Sequence, residues 1–159
     1  GGIGVMPTDT IYGLVGQALK PTTVARIYKL KQRQPNKPCI ILIGNLTDLE
    51  KFNFKLTPAM LKIINRIWPG PISIIFTKTL ACRLPASPRL RRLLKRTGPL
   101  IATSANPEGQ LPARTITEAK KYFGPVGGGV DFYLAGRRLA GKPSILIKIK
   151  NGKTIVVRP

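Results

Sequence analysis

Short apolar runs alternate with amphipathic helical stretches along the whole chain, and this alternation fixes the class of fold. Residues 3–6 read as a strand that runs into the loop Pro7-Thr8-Asp9-Thr10. Thr22 or Thr23 can cap a helix through about Leu30, with Val24, Ile27 and Leu30 on one stripe. Pro35 ends it, because the residue before a proline avoids helical backbone. Residues 39–43 are unbroken apolar, as a central buried strand must be. Thr47-Asp48-Leu49-Glu50 has the form of a capping box before a short helix. Thr57-Pro58 opens another helix, with Met60, Ile63, Ile64 and Ile67 as its inner face. After Pro69-Gly70-Pro71 come strands at 72–77 and 80–84. A helix then starts at Ser87-Pro88 with Leu90, Leu93 and Leu94 inward, and a strand follows at 100–103. Thr117 caps a helix through Phe123, and 130–134 is strand-like. Strands at 145–149 and 154–157 flank Asn151-Gly152, the strongest hairpin signal in the sequence. The pattern predicts one α/β domain over 1–159, a twisted mixed sheet flanked by helices.

Charge limits what such a domain can meet. There are 27 Lys and Arg against 6 Asp and Glu, so 27 − 6 gives +21 in a chain that is 43% hydrophobic. The apolar content is too high for a disordered chain. The excess of cations repels itself and seeks anions such as nucleic acid, nucleotides or acidic lipid. With no histidine, the chain cannot build a Ser-His triad, a Cys-His pair or a His-based zinc site. Six scattered carboxylates fit paired-carboxylate hydrolysis poorly. Cys39 and Cys82 sit in apolar runs and read as small buried thiols rather than a disulfide framework. The apolar runs are far too short to span a bilayer and no signal peptide is visible, so a reducing, cytoplasmic setting is expected. Gly127-Gly128-Gly129 lacks the Lys-Ser/Thr of a P-loop and reads as a flexible loop.

Three polar pairs stand at the edges of predicted elements: Thr8 and Thr10, Lys31 and Arg33, Ser104 and Asn106. Residues two apart in extended backbone project to the same side, so each pair can present two groups to one ligand. Lys31 and Arg33, with Lys37 close behind, offer a point charge and a planar fork for phosphate; the alternative is a solvated, basic helix end. Ser104 and Asn106 follow a buried strand, a usual ligand position in open α/β sheets; the alternative is an Asn-Pro turn. Thr8 and Thr10 face the same choice. Asp9 between them is either a turn residue or an acceptor behind the site. Arg89, Arg91, Arg92, Lys95, Arg96, Lys120, Lys121, Arg137, Arg138 and Lys142 form a cationic set that either tracks a nucleic-acid backbone or is a solvated face.

The stretch from Pro7 to Leu14, PTDTIYGL, resembles the N-terminal signature of the YrdC family, the threonylcarbamoyl-AMP synthases. The resemblance continues in order through Leu30-Lys31-Gln32-Arg33 with Lys37-Pro38, Trp68-Pro69-Gly70-Pro71, Arg83-Leu84-Pro85, Thr103-Ser104-Ala105-Asn106 with Gly109, Pro143-Ser144 and Arg158. It implies a YrdC-like sheet with a basic concave face, in the short, single-domain form. It implies a nucleotidyltransferase that joins L-threonine, bicarbonate and ATP into threonylcarbamoyl-AMP and pyrophosphate, with Mg²⁺ accompanying ATP. The product would feed N6-threonylcarbamoyladenosine formation in tRNA through a downstream threonylcarbamoyl transferase. By resemblance, Lys31, Arg33 and Lys37 hold the triphosphate, and Ser104 and Asn106 contact nucleotide and threonine. Thr10, Arg83 and Ser144 hold threonine, Arg83 by its carboxylate. Thr79 and Arg158 add to the nucleotide side, with Arg114 or Thr115 nearby. No protein metal ligand is implied. The sequence departs from the family in lacking a helix before the first strand, in Leu42 where many relatives carry His, in Ile145 where Thr is common, and in an abrupt connection from Phe76 to Leu80. The second reading is a non-catalytic module of the same fold that binds double-stranded RNA or tRNA; the Ser-x-Asn pair speaks for the enzyme.

Overall fold

The computed structural model describes residues 1–34, 37–150 and 152–159; the expectations placed on Pro35 and Asn151 lie outside the described residues. Among these residues one sheet has nine strands. They are β1 (Ile3–Pro7), β2 (Tyr12–Gln17), β3 (Ile40–Leu42), β4 (Ile72–Ile75), β5 (Ala81–Arg83), β6 (Leu100–Ser104), β7 (Phe132–Tyr133), β8 (Ile145–Lys150) and β9 (Lys153–Arg158). Their order is β7-β1-β2-β6-β3-β5-β4-β8-β9. Parallel pairs (β1 with β7, β3 with β5, β4 with β8) mix with antiparallel ones, as expected of the predicted class. The helices are α1 (Pro21–Lys31), α2 (Pro58–Ile67), α3 (Pro88–Thr97) and α4 (Ile116–Phe123), with a 3-10 helix at Leu46–Phe52.

Alternation along the central strands divides the helices between the two faces. Ile41 packs with the 3-10 helix and α2, and Ile101 with α1 and α4. Their neighbours Ile40, Leu42, Leu100 and Ala102 point the other way, onto Leu90 and Leu94 of α3. One face is therefore covered by α1, α2, α4 and the 3-10 turn. The other carries α3, and its uncovered part holds the site.

The structure corrects several local expectations. Strand β2, which carries Gly13 and Gly16, lies where the sequence pattern predicts no element. Gly16 is a contact point: a Cβ there would stand 2.4 Å from Thr23 Cγ2 and 3.2 Å from Ile27 Cδ1, so its absence lets α1 lie directly on the strand. Thr23 is buried in that contact and donates its hydroxyl to Gly1 O. The N-cap of α1 is Lys20, with Pro21 in the first turn. The helix closes at Gln32 in left-handed backbone. The capping box before the 3-10 helix is Asn45 with Asp48, two residues earlier than the Thr47–Glu50 expectation. Thr115, rather than Thr117, caps α4 by accepting from Glu118 N. Thr57 and Ser87 cap α2 and α3 as expected. Both cysteines are free and buried.

Candidate active site

The turn between β1 and β2 is tied by Thr8, whose Oγ1 accepts from Thr10 N and Ile11 N and donates to Ile11 O. This fixes Thr10 at the mouth of β2, with its hydroxyl accepting from Arg83 Nη1 at 3.2 Å. Arg83 closes β5. Its side chain is 4% exposed, and Nη2 lies 2.8 Å from Asp9 Oδ1, itself on a side chain 9% exposed. Burial lowers the Arg83 pKa, and the Asp9 charge works against that shift.

The end of α1 brings Lys31 under the end of β6. Lys31 is 3% exposed, and Nζ donates to Ser104 O (2.9 Å), Ser104 Oγ (2.9 Å) and Asn106 Oδ1 (2.7 Å). An ammonium has three N–H groups, so these bonds use them all. Burial first, and the nearby Arg33 charge second, bring its pKa from the ordinary 10.5 down to about 8. Asn106 is equally committed, since its Nδ2 donates to Pro107 O and Gln110 O. Arg33 donates Nε to Lys37 O and Nη2 to Pro38 O, and Lys37 Nζ reaches Glu108 Oε1 at 2.7 Å.

Between these groups lies a cavity of about 150 Å³. Its polar wall is Thr8, Thr10, Arg33, Arg83, Ser104, Ser144 and Arg158; Cys39, Ile40, Leu42, Ala102 and Leu146 add an apolar part. Ser144 shares a hydrogen bond with Ser73 (Oγ to Oγ, 2.7 Å), and its carbonyl accepts from Arg158 Nη2 at 2.8 Å. Burial and the proximity of Arg33 lower the Arg158 pKa. Burial also raises the Cys39 pKa, which keeps the thiol neutral. Three guanidinium groups and a set of hydroxyls facing one small hollow make a site for anions.

Of the residues singled out from sequence, Thr10, Arg33, Arg83, Ser104, Ser144 and Arg158 line this cavity. Lys31 and Asn106 stand behind Ser104, and Lys37 stands beside Arg33. Thr79 does not come to it: it lies in the tight β4–β5 turn and lines a separate groove with Tyr28, Ile41 and Phe54, against the helix-covered face. Arg114 is exposed ahead of α4 and lies outside the cavity lining, and Thr115 is occupied as the helix cap. Sequence reasoning passed over Ser73 and Glu108, and left Asp9 open between a turn and a supporting role. The signal for the two acids was their scarcity, since each of only six carboxylates has many cations to choose from. No three His, Cys, Asp or Glu side chains converge as a metal site among the described residues, and no described helix is long and apolar enough to cross a membrane.

The Sua5/YciO/YrdC family model, described as "Telomere recombination", matches residues 1–159. The threonylcarbamoyl-AMP synthase of Cellvibrio japonicus is 32% identical over 173 residues, covering 100% of this chain and 89% of that protein. The crystal structure of P. abyssi Sua5 complexed with L-threonine superposes with a TM-score of 0.87 at 25% identity over 99% of this chain; the chain spans 50% of that one. E. coli YciO, at 24% identity and a TM-score of 0.83, shares the fold over 99% of this chain and 82% of its own.

Proposed function

The chain belongs to the Sua5/YciO/YrdC family, and on that footing we propose that its cavity makes threonylcarbamoyl-AMP and pyrophosphate from L-threonine, bicarbonate and ATP. The observation that carries this reading is the convergence of Arg33, Arg83 and Arg158 on one hollow also lined by Thr10, Ser104 and Ser144. The name of the Cellvibrio japonicus relative, and the threonine held by P. abyssi Sua5, support it.

Arg33, Lys37 and Arg158 would take the phosphates, while Arg83, Thr10 and Ser144 would take threonine through its carboxylate and hydroxyl. Ser104 lines the same hollow. Lys31 and Asn106 act from behind: Lys31 holds Ser104 in place and leaves its positive charge under the phosphate side. The amine of threonine adds to CO2 derived from bicarbonate and loses a proton. The resulting carbamate oxygen attacks the α-phosphorus of ATP, the bond to the β-phosphate oxygen breaks, and pyrophosphate leaves. This step needs alignment and charge neutralisation more than a strong acid or base, which suits a pocket rich in guanidinium groups and hydroxyls. The donor set offers Mg²⁺ no carboxylate cluster among the described residues, so Mg²⁺ would arrive as the counterion of ATP, held by the phosphates. The cationic exterior would suit contact with tRNA, and a downstream transferase would consume the product.

The test is pyrophosphate release from ATP in bicarbonate. Release is expected to depend on L-threonine and to collapse in Arg33→Ala. Release that ignores threonine, or none from the wild-type chain, contradicts the proposal.

A further inference from the structure

Asp9 takes no part in the proposed reaction, yet it is paired with Arg83. Asp9 is one of only six carboxylates in a chain of net charge +21, and its side chain, 9% exposed, is turned to Arg83 behind the cavity lining instead of out to solvent. Its two oxygens are divided. Oδ2 accepts from Ala86 N at 2.8 Å, which anchors it to the loop after β5, and Oδ1 faces Arg83 Nη2 at 2.8 Å. The same guanidinium is held from the other side by Thr10 Oγ1 on Nη1. Arg83 Nε is buried without a hydrogen-bond partner among the described residues, and so is Asp9 Oδ1, whose 2.8 Å contact with Nη2 is an ion pair and not an aligned hydrogen bond. A guanidinium carries five N–H donors in a rigid fork, so Arg83 keeps unspent donors in a place that water barely reaches. An unpaired buried donor is costly, and an entering carboxylate would relieve that cost.

We propose that Asp9 is a positioning residue: it sets the plane of the Arg83 fork so that the unspent donors receive the carboxylate of an amino acid. The inference rests on the assignment of the cavity to an amino acid beside a nucleotide. Asp9 itself does not touch the substrate. It joins the β1–β2 turn to the end of β5, so the two elements that hold threonine move as one.

Two isothermal titrations, one with L-threonine and one with ATP, separate this role from general support of the fold. Asp9→Asn keeps the shape and removes the charge. It is expected to weaken threonine binding about tenfold or more while ATP binding stays at the wild-type level. Asp9→Glu keeps the charge and moves it by one methylene. It serves if the Asn variant does not fold, and it too is expected to bind threonine more weakly than wild type. Equal losses for both ligands, or wild-type threonine affinity in either folded variant, overturn the inference. A wild-type chain that binds ATP but not threonine overturns the assignment of the cavity itself.

Discussion

The ammonium of Lys31 spends its N–H groups on Ser104 and Asn106, so at the scale of single residues its work is to hold the loop that the site uses. Replacing it by methionine takes this donor from Ser104 Oγ and Asn106 Oδ1, while Ser104 O keeps its bond from Asn106 N. Lys31→Met is expected to cost about 1–3 kcal/mol in urea unfolding. The pH dependence has a definite sign. Folding lowers the Lys31 pKa from 10.5 to about 8, so between those values the unfolded chain holds a proton that the folded chain has released. Stability from this group therefore rises with pH across that window, and wild type should gain on Lys31→Met as pH increases. Activity should move the opposite way and fall as pH passes about 8, because the neutral amine has two N–H groups for three acceptors and no longer places a positive charge under the phosphate side. Unfolding curves and turnover measured over the same pH series check both trends. The pairing of Lys31 with Arg33 was legible as spacing in the sequence. What was not legible was that Lys31 faces inward, because that depends on Ser104 and Asn106, which lie 73 and 75 positions away.

Elements were legible where sequence alone decides them. Residues 39–43 contain β3, whose two neighbours bury it on both edges of its ladder. Thr57-Pro58 and Ser87-Pro88 mark true helix starts because the proline fixes the first turn and the hydroxyl reaches the third residue on. Strand β2 was hidden because one of its glycines, Gly16, serves a helix that packs on it. Gly16→Ala puts a methyl against Thr23 and Ile27, both buried, and is expected to destabilise the chain by about 1–3 kcal/mol. Ser87→Ala removes only the acceptor for Leu90 N, so a loss of about 1 kcal/mol is expected, with threonine affinity unchanged. Chemical denaturation of the two variants, with a threonine titration of the second, checks these values. A Gly16→Ala chain as stable as wild type would mean that α1 does not rest on β2 as described.

At the scale of the whole molecule, the site is a meeting of distant pieces: the β1–β2 turn, the end of α1, the ends of β5 and β6, and the two sides of the C-terminal hairpin. Periodicity could not assemble them; the ordered resemblance of short motifs pointed to the combination, and the sheet order brings it about. The net charge of +21 gives a further test. Added salt screens self-repulsion over roughly 10 Å at 0.1 M. The melting temperature should rise with salt while ATP affinity falls, and calorimetry with nucleotide titration over one salt series reads both. The most direct test of the central claim is a crystal structure of the chain with L-threonine and a non-hydrolysable ATP analogue. The threonine carboxylate should lie on Arg83, and the phosphates should lie between Arg33 and Arg158. Nucleotide density in the groove beside Thr79, or threonine away from Arg83, would contradict it.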